Sequence, residues 1–366
     1  MRLLFVTRKF PPSVGGMEIY SFELDRAIRG LGVDVHLHAP RRPILGRPSL
    51  WQVAGFFLGA CLHLVRHGRR YDAVLIGDFA IASLAPVARL FTARGTRIGV
   101  ALHGQDLYFM RRDSATARLY RAIARLVAGS GALDVAIANS GAIRREALSR
   151  GLRPVAVVPL ATSPADVAAT PRADPPRLVF AGRLIRYKGL SWFVEQVWPR
   201  LDPRLELHVA GEVWDEAERR CLEGDPRIRY LGKVEHAALP ALRASAIACI
   251  MPNRPPEAGE QDEGFGLSAL ESAAAGTPVV AARTGGLPDA IVDGVTGFLV
   301  EPLDADGWVA RLAEIAAWTQ EQRARFAQAA REEVARSYNW ALVARRTVAL
   351  LDPSRPLPAD ATDAES

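Results

Sequence analysis

The 366-residue sequence contains only three cysteines, which are widely spaced and odd in number: Cys61, Cys221 and Cys249. Such a set does not form a disulfide framework. Cys61 and Cys249 lie in apolar runs, where buried free thiols are expected, so we expect a reducing compartment, the cytoplasm. No His-Glu-x-x-His or Cys-x-x-Cys motif occurs, and metal catalysis therefore has no support in the sequence.

Three further absences narrow the functional class. The loop after the first apolar run contains Gly15-Gly16 but not the Gly-x-Gly-x-x-Gly fingerprint, which argues against a nicotinamide-dependent dehydrogenase. No helix-turn-helix, zinc-finger or RNA-binding signature is present, so we do not expect nucleic acid as a partner. The apolar run at residues 1–7 is too short for a signal peptide, and Arg8-Lys9 ends it.

Charge is distributed unevenly along the chain. Residues 1–170 contain 23 Lys and Arg against 11 Asp and Glu, a net charge of +12, whereas residues 171–366 contain 23 against 29, a net charge of −6. A basic first half favours an acidic partner, such as lipid headgroups or a phosphorylated acceptor. Arginine supplies almost all of the positive charge, which can also reflect codon bias.

Apolar runs alternate with helical patterns along both halves, which predicts α/β structure with parallel, helix-covered sheets in two Rossmann-like domains. We expect the first domain at 1–170, a proline-rich linker at 171–176, the second domain at 177–339 and a disordered tail at 353–366. The predicted strands are 3–7, 33–39, 73–76, 97–102, 134–138, 155–160, 177–180, 205–210, 228–231, 246–251, 278–282 and 297–300.

Residues 48–65 contain no Asp, Glu, Lys or Arg, and five arginines flank them: Arg42, Arg47, Arg66, Arg69 and Arg70. A helix packed in the interior is the favoured interpretation. A helix whose basic flanks lie on an anionic bilayer comes next. A membrane span comes last, because the stretch is near the lower length limit and a span would interrupt the sheet.

The segment from Glu263 to Glu271 has two carboxylates with seven residues between them. Glu263 is predicted to lie in the loop before a helix that begins near Ser268, and Glu271 inside that helix. The amides before the helix form a glycine-rich, uncapped start, which favours phosphate binding. The residues of that start are Gly264, Phe265, Gly266 and Leu267. A carboxylate on each side of a phosphate site suits a nucleotide-sugar. The equally favoured alternative is that Glu263 only stabilises the helix dipole and that Glu271 is a solvated helical residue.

A second cluster, at 178–189, is predicted to be a strand, a glycine turn and two cations before a helix. Arg183 offers a planar fork for phosphate oxygens, and Lys188 offers a mobile point charge. Cations near a helix start oppose the helix dipole, so a role in helix stability is disfavoured. A solvated basic turn is the simpler alternative for this cluster taken alone.

These motifs together resemble the retaining glycosyltransferases of family 4, which have the two-domain GT-B fold. The resemblance spans nearly the whole chain in the family's order. It rests on Gly15-Gly16, His103-Gly104, Gly182-Arg183 with Lys188-Gly189, the Glu263 and Glu271 pair, and residues 285–300. Residues 251–254 further resemble the branch of mannosyltransferases that act on phosphatidylinositol mannosides. By the same resemblance, a last helix around 340–352 returns to the first domain.

The resemblance implies a reaction. A hexose would be transferred, with retained anomeric configuration and without metal or cofactor, from a nucleoside-diphosphate sugar to a glycan, glycolipid or lipid-linked acceptor. The pathway would be cell-envelope or polysaccharide synthesis. The donor would be GDP-mannose, slightly ahead of a UDP-hexose. The enzyme would be cytoplasmic and peripheral on the inner face of the membrane.

The resemblance also implies a role for each matched residue. Arg183 and Lys188 would stabilise the departing diphosphate, whose negative charge grows in the transition state. Glu263 would bind the transferred sugar and favour its oxocarbenium character, and His103 would lie beside that sugar. Glu271 would bind the ribose. The implied substrate-binding residues are Gly15, Gly16, Gly264, Phe265, Gly266, Leu267 and Glu271.

Several alternatives remain open. Asp304-Ala-Asp306 matches the Asp-x-Asp of metal-dependent transferases, but its position before a helix favours an N-cap. His36 and His38 share one strand face, where a satisfied surface is favoured over a metal pair. For the whole chain, the alternatives to a transferase are a sugar-nucleotide epimerase of the same architecture and a catalytically silent partner in a glycan-assembly complex.

Overall fold

The structure is a computed structural model and describes residues 1–11, 16–40, 50–165, 167, 173–257 and 259–362. The chain divides into two compact units. The first contains Met1–Leu160 together with Trp340–Ser366, and the second contains Ala161–Asn339.

The first unit is built on a six-stranded parallel sheet with the order β2-β1-β3-β4-β5-β6. Its strands are β1 Arg2–Val6, β2 Asp34–His38, β3 Ala73–Ile76, β4 Arg97–Leu102, β5 Val135–Ala138 and β6 Val155–Val157. The helices between them are α1 Gly16–Gly30, α2 Leu50–His67, α3 Leu84–Phe91, α4 Gly104–Tyr108, α5 Ala115–Gly129 and α6 Gly141–Ser149.

The second unit repeats this plan, with the strand order β12-β11-β10-β7-β8-β9. Its strands are β7 Arg177–Ala181, β8 Glu206–Ala210, β9 Ile228–Gly232, β10 Ala248–Met251, β11 Val279–Ala282 and β12 Gly297–Val300. Its helices are α7 Leu190–Gln196, α8 Glu216–Arg220, α9 Leu239–Ala244, α10 Leu267–Ala274, α11 Leu287–Ala290, α12 Ala305–Ala316 and α13 Gln320–Ser337.

The apolar runs explain why these segments are strands. Every residue of β3, β5, β10 and β11 is buried, as expected for strands covered by helices on both faces. The predicted α/β class with two parallel sheets is confirmed, and each of the twelve predicted strands is found. The end of β6 differs from the prediction. It stops at Val157 rather than at residue 160, two residues before Pro159, which has no N–H to donate to a ladder.

After α13 the chain returns to the first unit as α14 Trp340–Leu351 and ends in α15 Ala359–Thr362. Helix α14 packs on α1 and on strands β3, β4 and β5. Gly99 allows this close approach, because a Cβ there would lie 2.6 Å from Leu351 Cδ2. The disorder expected for the tail is wrong for its described part, 353–362. Arg97 Nη2 donates to Arg355 O at 2.8 Å, and Ala361 in α15 is buried. The prediction overlooked that a short helix after Pro358 contacts β6.

Helix α2 covers most of the uncharged stretch 48–65. Its Ala60 and Leu64 are buried in the core, as expected for interior packing. Trp51, Leu58 and Val65, in contrast, are exposed, so the helix also presents apolar side chains to solvent. Within the described ranges, no helix has the length and apolarity needed to cross a membrane.

Candidate functional site

A buried ion pair joins two of the predicted site residues in the second unit. Lys188 ends a short 3-10 helix after β7, and Glu263 lies in the loop before α10. Lys188 Nζ donates to Glu263 Oε2, and each side chain is 13% exposed. Asn253 Nδ2 also approaches this carboxylate oxygen, at 3.4 Å. Lys188 and Glu263 were far apart in sequence and were predicted to act on one ligand, and the fold brings their charged ends together.

The surroundings keep both members of this pair ionised. Burial alone would raise the pKa of Glu263, but Lys188, Arg183 and Asn253 together hold that pKa below its usual value. Burial would lower the pKa of Lys188, and Glu263 more than offsets this, so the net shift is upward. The site therefore presents a fixed positive and a fixed negative charge at neutral pH.

The position of Lys188 depends on the glycine that follows it. Gly189 has φ +70°, and a Cβ there would lie 2.0 Å from Pro252 O. Only glycine fits both this left-handed conformation and this close approach. The contact presses the Lys188 turn against the segment after β10, where Arg254 N donates to Tyr187 O at 2.9 Å. Lys188 and Asn253 consequently reach the same carboxylate.

Arg183 lies two residues after the end of β7 and is half-buried. Its guanidinium lies over the ring of Trp214, 4.7 Å from the centroid, and Nη2 donates to Tyr187 Oη at 3.2 Å. The indole of Trp214 is 60% exposed. Stacking on an aromatic ring orients a guanidinium without removing its hydrogen-bonding edges. The positive charge of Arg183 helps to lower the pKa of Glu263, so Arg183 interacts electrostatically with the Lys188–Glu263 ion pair.

The loop between Glu263 and α10 forms the predicted glycine-rich helix start. Gly266 is the N-cap residue of α10 with φ +106°, and among the described residues no side-chain hydrogen bond caps this end of the helix. Gly286 N donates to Glu263 O at 2.8 Å, and a Cβ on Gly286 would lie 2.3 Å from Gly264 O. The Gly285-Gly286 pair therefore lets a second loop support the first. Phe265 is buried, whereas Leu267 begins the helix. The positive end of a helix that lacks an acidic first turn favours an anion.

Glu271 lies on α10 but not in the Lys188 ion pair. It accepts a hydrogen bond from Arg243 Nη2 of α9 at 2.5 Å, and the same nitrogen lies 3.3 Å from Ser268 Oγ. The Arg243 side chain is 3% exposed, while that of Glu271 is 24% exposed. Ser268 Oγ donates in turn to Ala181 O, at the end of β7. Arg243 therefore fixes the orientation of a carboxylate that solvent can still reach.

In the first unit, His103 lies at the carboxyl end of β4, just before α4. Its Nε2 is 3.1 Å from Gly77 O. A carbonyl oxygen can only accept, so Nε2 carries the proton and Nδ1 of the neutral ring is an acceptor. Burial lowers the pKa of His103 and outweighs the opposing effects of Gly77, Asp78 and Glu18, which keeps the ring neutral at pH 7. The ring of Tyr20 packs edge-on against it at 4.9 Å.

Buried carboxyl groups accompany His103 at the ends of β3 and β4. Arg8 Nη2 donates to Asp78 Oδ1 at 2.7 Å, and Phe79 N donates to Asp106 Oδ2 at 3.2 Å. Burial and the charge of Asp78 raise the pKa of Asp106 to about 7, although Phe79 N and Arg8 oppose the shift. Asp106 is therefore partly protonated at neutral pH, and it can donate as well as accept a hydrogen bond.

The remaining predicted residues have simpler positions. Gly15 lies outside the described residues, and Gly16 is the first residue of α1. The N-cap interpretation of Asp304 is confirmed, because its side chain accepts from Gly307 N at 3.0 Å. Asp306 pairs with Arg200 at 2.5 Å on the surface.

Among the residues of these sites that were not predicted as site members are Asn253, Arg243 and Asp78. Asn253 follows β10 at the carboxyl edge of the sheet, where ligand groups gather in open α/β sheets, so its position carried a usable signal. Asp78 has the same signal at the end of β3. Arg243 had none, because an arginine in a short helix is usually a surface residue.

Comparison with known proteins agrees with this architecture. Residues 14–165 match the family described as Glycosyltransferase Family 4, and residues 175–317 match the family described as Glycosyl transferases group 1. The first match lies almost entirely in the first unit and the second match lies in the second unit, and together they cover most of the chain.

Two curated relatives come from Mycobacterium tuberculosis. A glycogen synthase is 34% identical over 190 residues, which are 49% of this chain and 43% of that enzyme. A GDP-mannose-dependent alpha-(1-6)-phosphatidylinositol monomannoside mannosyltransferase is 26% identical over 375 residues, 94% of this chain and 96% of that enzyme. The glycogen synthase match thus spans less than half of that relative.

Two solved structures share the fold. A glycosyltransferase from Rickettsia africae superposes with a TM-score of 0.70 at 17% identity, covering 95% of this chain and 96% of that one. The sucrose-phosphate synthase of Thermosynechococcus elongatus has a TM-score of 0.68 at 20% identity, with 95% and 97% covered. Both therefore agree with the GT-B fold.

Proposed function

Because the chain belongs to the group 1, family 4 glycosyltransferases, we propose that it transfers a hexose from a nucleoside-diphosphate sugar to a glycan, glycolipid or lipid-linked acceptor, with retention of configuration. The observation that carries this proposal is the ionised Lys188–Glu263 pair beside the uncapped start of α10. It offers a cation and helix amides for a diphosphate and a carboxylate for sugar hydroxyls, within one small region.

The donor binds first through its diphosphate. Arg183, held on Trp214, and Lys188 bind the phosphate oxygens together with the helix start at Gly264–Leu267. When the donor enters, Lys188 exchanges part of its contact with Glu263 for the diphosphate. Glu263 is then available to accept hydrogen bonds from the sugar. Glu271, oriented by Arg243, accepts from the ribose hydroxyls.

Catalysis follows from where charge develops. As the glycosidic bond to phosphate breaks, negative charge grows on the diphosphate, and Arg183 with Lys188 stabilises it more strongly in the transition state than in the ground state. The negative charge of Glu263 favours positive character at the sugar. His103, with Nδ1 as an acceptor, binds a hydroxyl of the transferred sugar. Fixed cations and helix amides neutralise the leaving group, so transfer is independent of metal.

We assign GDP-mannose as the donor ahead of a UDP-hexose. The relative that matches over nearly the full length is named for GDP-mannose and for a phosphatidylinositol mannoside. The segment after β10, which includes the Asn253 that contacts Glu263, is the part of the sequence that resembles that branch.

A lipid-linked acceptor implies work at a membrane surface, and we propose that the enzyme is cytoplasmic and docks peripherally. The first half of the chain has a net charge of +12. Helix α2 exposes Trp51, Leu58 and Val65. Arg66 in its last turn and Arg69 just after it are exposed as well. Apolar side chains beside arginines favour the interface of an anionic bilayer. Co-sedimentation with anionic but not neutral vesicles, weakened by salt, tests this docking.

Donor binding is tested by thermal shift with GDP, UDP and ADP and their sugars. A ligand at a hundred times its Kd stabilises by about 2.7 kcal/mol, which is readily seen as a rise in Tm. We expect GDP to give the largest rise, and Lys188→Ala to reduce it. Lys233→Ala is the matched control, because Lys233 pairs with Glu212 on the surface of the same unit. Equal shifts in the wild type and Lys188→Ala would refute the assignment of the diphosphate site.

A further inference from the structure

The first unit contains a cavity between the edge strand β2 and helix α2, with a volume of about 1100 Å³. Its lining residues all lie between His36 and Tyr71, so it shares no residue with the Lys188–Glu263 site. Among the described residues, no Asp or Glu lines it, whereas two arginines and four histidines do: Arg66, Arg70, His36, His38, His63 and His67. A concave site that is lined by charged residues of one sign attracts ligands of the opposite charge.

Both arginines are available to a ligand at the mouth of the cavity. Arg66 and Arg70 are exposed, and in the described part of the chain neither has a carboxylate within ion-pair distance. Many arginines of this chain do have such partners, for example Arg29 with Asp25 at 3.0 Å. Guanidinium groups bind phosphate oxygens by paired N–H donors.

The histidines form a contiguous group at the wall. The rings of His36 and His63 stack with centroids 4.4 Å apart, and His67 lies 5.0 Å from His63. His63 Nε2 is 2.8 Å from Tyr71 Oη, and His67 Nδ1 is a buried nitrogen without a hydrogen-bond partner among the described residues. Within those residues, no three His, Cys, Asp or Glu side chains are arranged to hold a metal ion. Imidazole N–H groups can donate hydrogen bonds to an anion.

Protonation of His63, one member of this histidine group, is unfavourable. Burial, and then the neighbouring His36, His38 and His67, lower the pKa of His63 to about 4. The charged groups that face it are Arg66 and Arg70 from the α2 side, with Asp34 at the start of β2 acting on Tyr71. An anion in the cavity would offset the repulsion among these cations. Binding and proton uptake are therefore coupled.

We propose that this cavity is a binding site for a phosphate-bearing ligand, with Arg66 and Arg70 holding the phosphate oxygens and the histidines completing the site as donors. The phosphate comes either from a lipid headgroup or from a free phosphorylated molecule. Phe56 and Leu62 form an apolar part of the wall, and Leu62 is 42% exposed, which gives an acyl chain a surface to follow. The inference does not depend on the proposed transfer reaction.

Isothermal titration of the full chain tests the site with two probes, inorganic phosphate and the water-soluble lipid dihexanoyl phosphatidic acid. We expect Arg66→Gln/Arg70→Gln to weaken binding at least about tenfold. The matched control is Arg118→Gln/Arg125→Gln, which removes the same charge from the exposed face of α5 and should bind as the wild type does. Binding of both probes identifies the phosphate group as sufficient, and binding of the lipid alone identifies a lipid headgroup site.

The pH dependence of anion binding is measured with sulfate, whose charge does not change between about pH 6 and about pH 8. Sulfate should bind more tightly at the lower pH, and His63→Phe, which keeps an aromatic ring in the stack, should reduce that difference. Loss of saturable binding for every probe, or equal affinities in the wild type and Arg66→Gln/Arg70→Gln, would overturn the proposal. The second outcome would assign the measured binding to another site, such as the one at Lys188.

Discussion

Removing the charge of Lys188 should lower both the stability of the fold and the rate of transfer. In Lys188→Ala, Glu263 keeps its charge with its side chain only 13% exposed and loses its cation. Removing one partner of a buried pair typically destabilises by about 3–5 kcal/mol, because the remaining charge stays desolvated. The same variant should lower kcat/KM at least about tenfold, or about 1.4 kcal/mol, since the diphosphate loses a cation.

The double variant Lys188→Ala/Glu263→Gln distinguishes the two effects. Glutamine removes the unpaired charge and can still accept from Asn253, which lies 3.4 Å from the carboxylate. We expect the midpoint of urea unfolding to recover most of the way to the wild-type value, while kcat/KM stays low or falls further. Lys233→Ala serves as the control and should change neither quantity by much, because its pair with Glu212 is exposed. Recovery of activity together with stability in the double variant would mean that Lys188 acts only through the fold.

Three other predictions follow from the same sites. EDTA should leave transfer unchanged, and loss of activity that Mn²⁺ or Mg²⁺ restores would return Asp304 and Asp306 to consideration as metal ligands. Because the pKa of Asp106 is raised to about 7, its contribution to stability is full at low pH and is lost as the pH rises towards 7. As the pH rises from about 4 to about 7, the free energy of unfolding of Asp106→Asn should therefore increase relative to that of the wild type, by at most about 1.4 kcal/mol per pH unit. A difference in urea midpoints between the two proteins that stays constant with pH would contradict the raised pKa. Arg243→Met should raise KM for the donor more than it lowers kcat, since Arg243 orients Glu271, and an equal KM in both proteins would refute that role.

The sheets could be predicted closely from the sequence because their strands are short, continuous apolar runs. In a parallel sheet covered on both faces, burial alone determines which residues take part, as β3 Ala73–Ile76 illustrates. The end of the chain was harder. Ala361 is buried by a contact with β6, which lies about two hundred residues earlier, and local composition carries no information about that contact.

The same contrast holds for the site. The glycines in the sequence predicted the loops of the site correctly. Gly189 and Gly286 permit close backbone contacts that position the Lys188 and Glu263 segments. The partners of the charged groups were not predictable. Arg243 reaches Glu271 from a different helix, and Trp214 lies under Arg183 from the loop after β8. Such pairs depend on tertiary packing, which spacing along one chain does not encode.

The most direct test of the central claim is donor turnover. The purified chain is incubated with GDP-mannose, UDP-glucose or ADP-glucose and with a lipid extract as acceptor, and both the released nucleoside diphosphate and the anomeric configuration of the product are measured. We predict release that requires the acceptor, an axial product from an axial donor, and loss of at least about tenfold in Lys188→Ala but not in Lys233→Ala. An isomerised nucleotide-sugar formed without acceptor, or no turnover of any donor, would contradict the assignment.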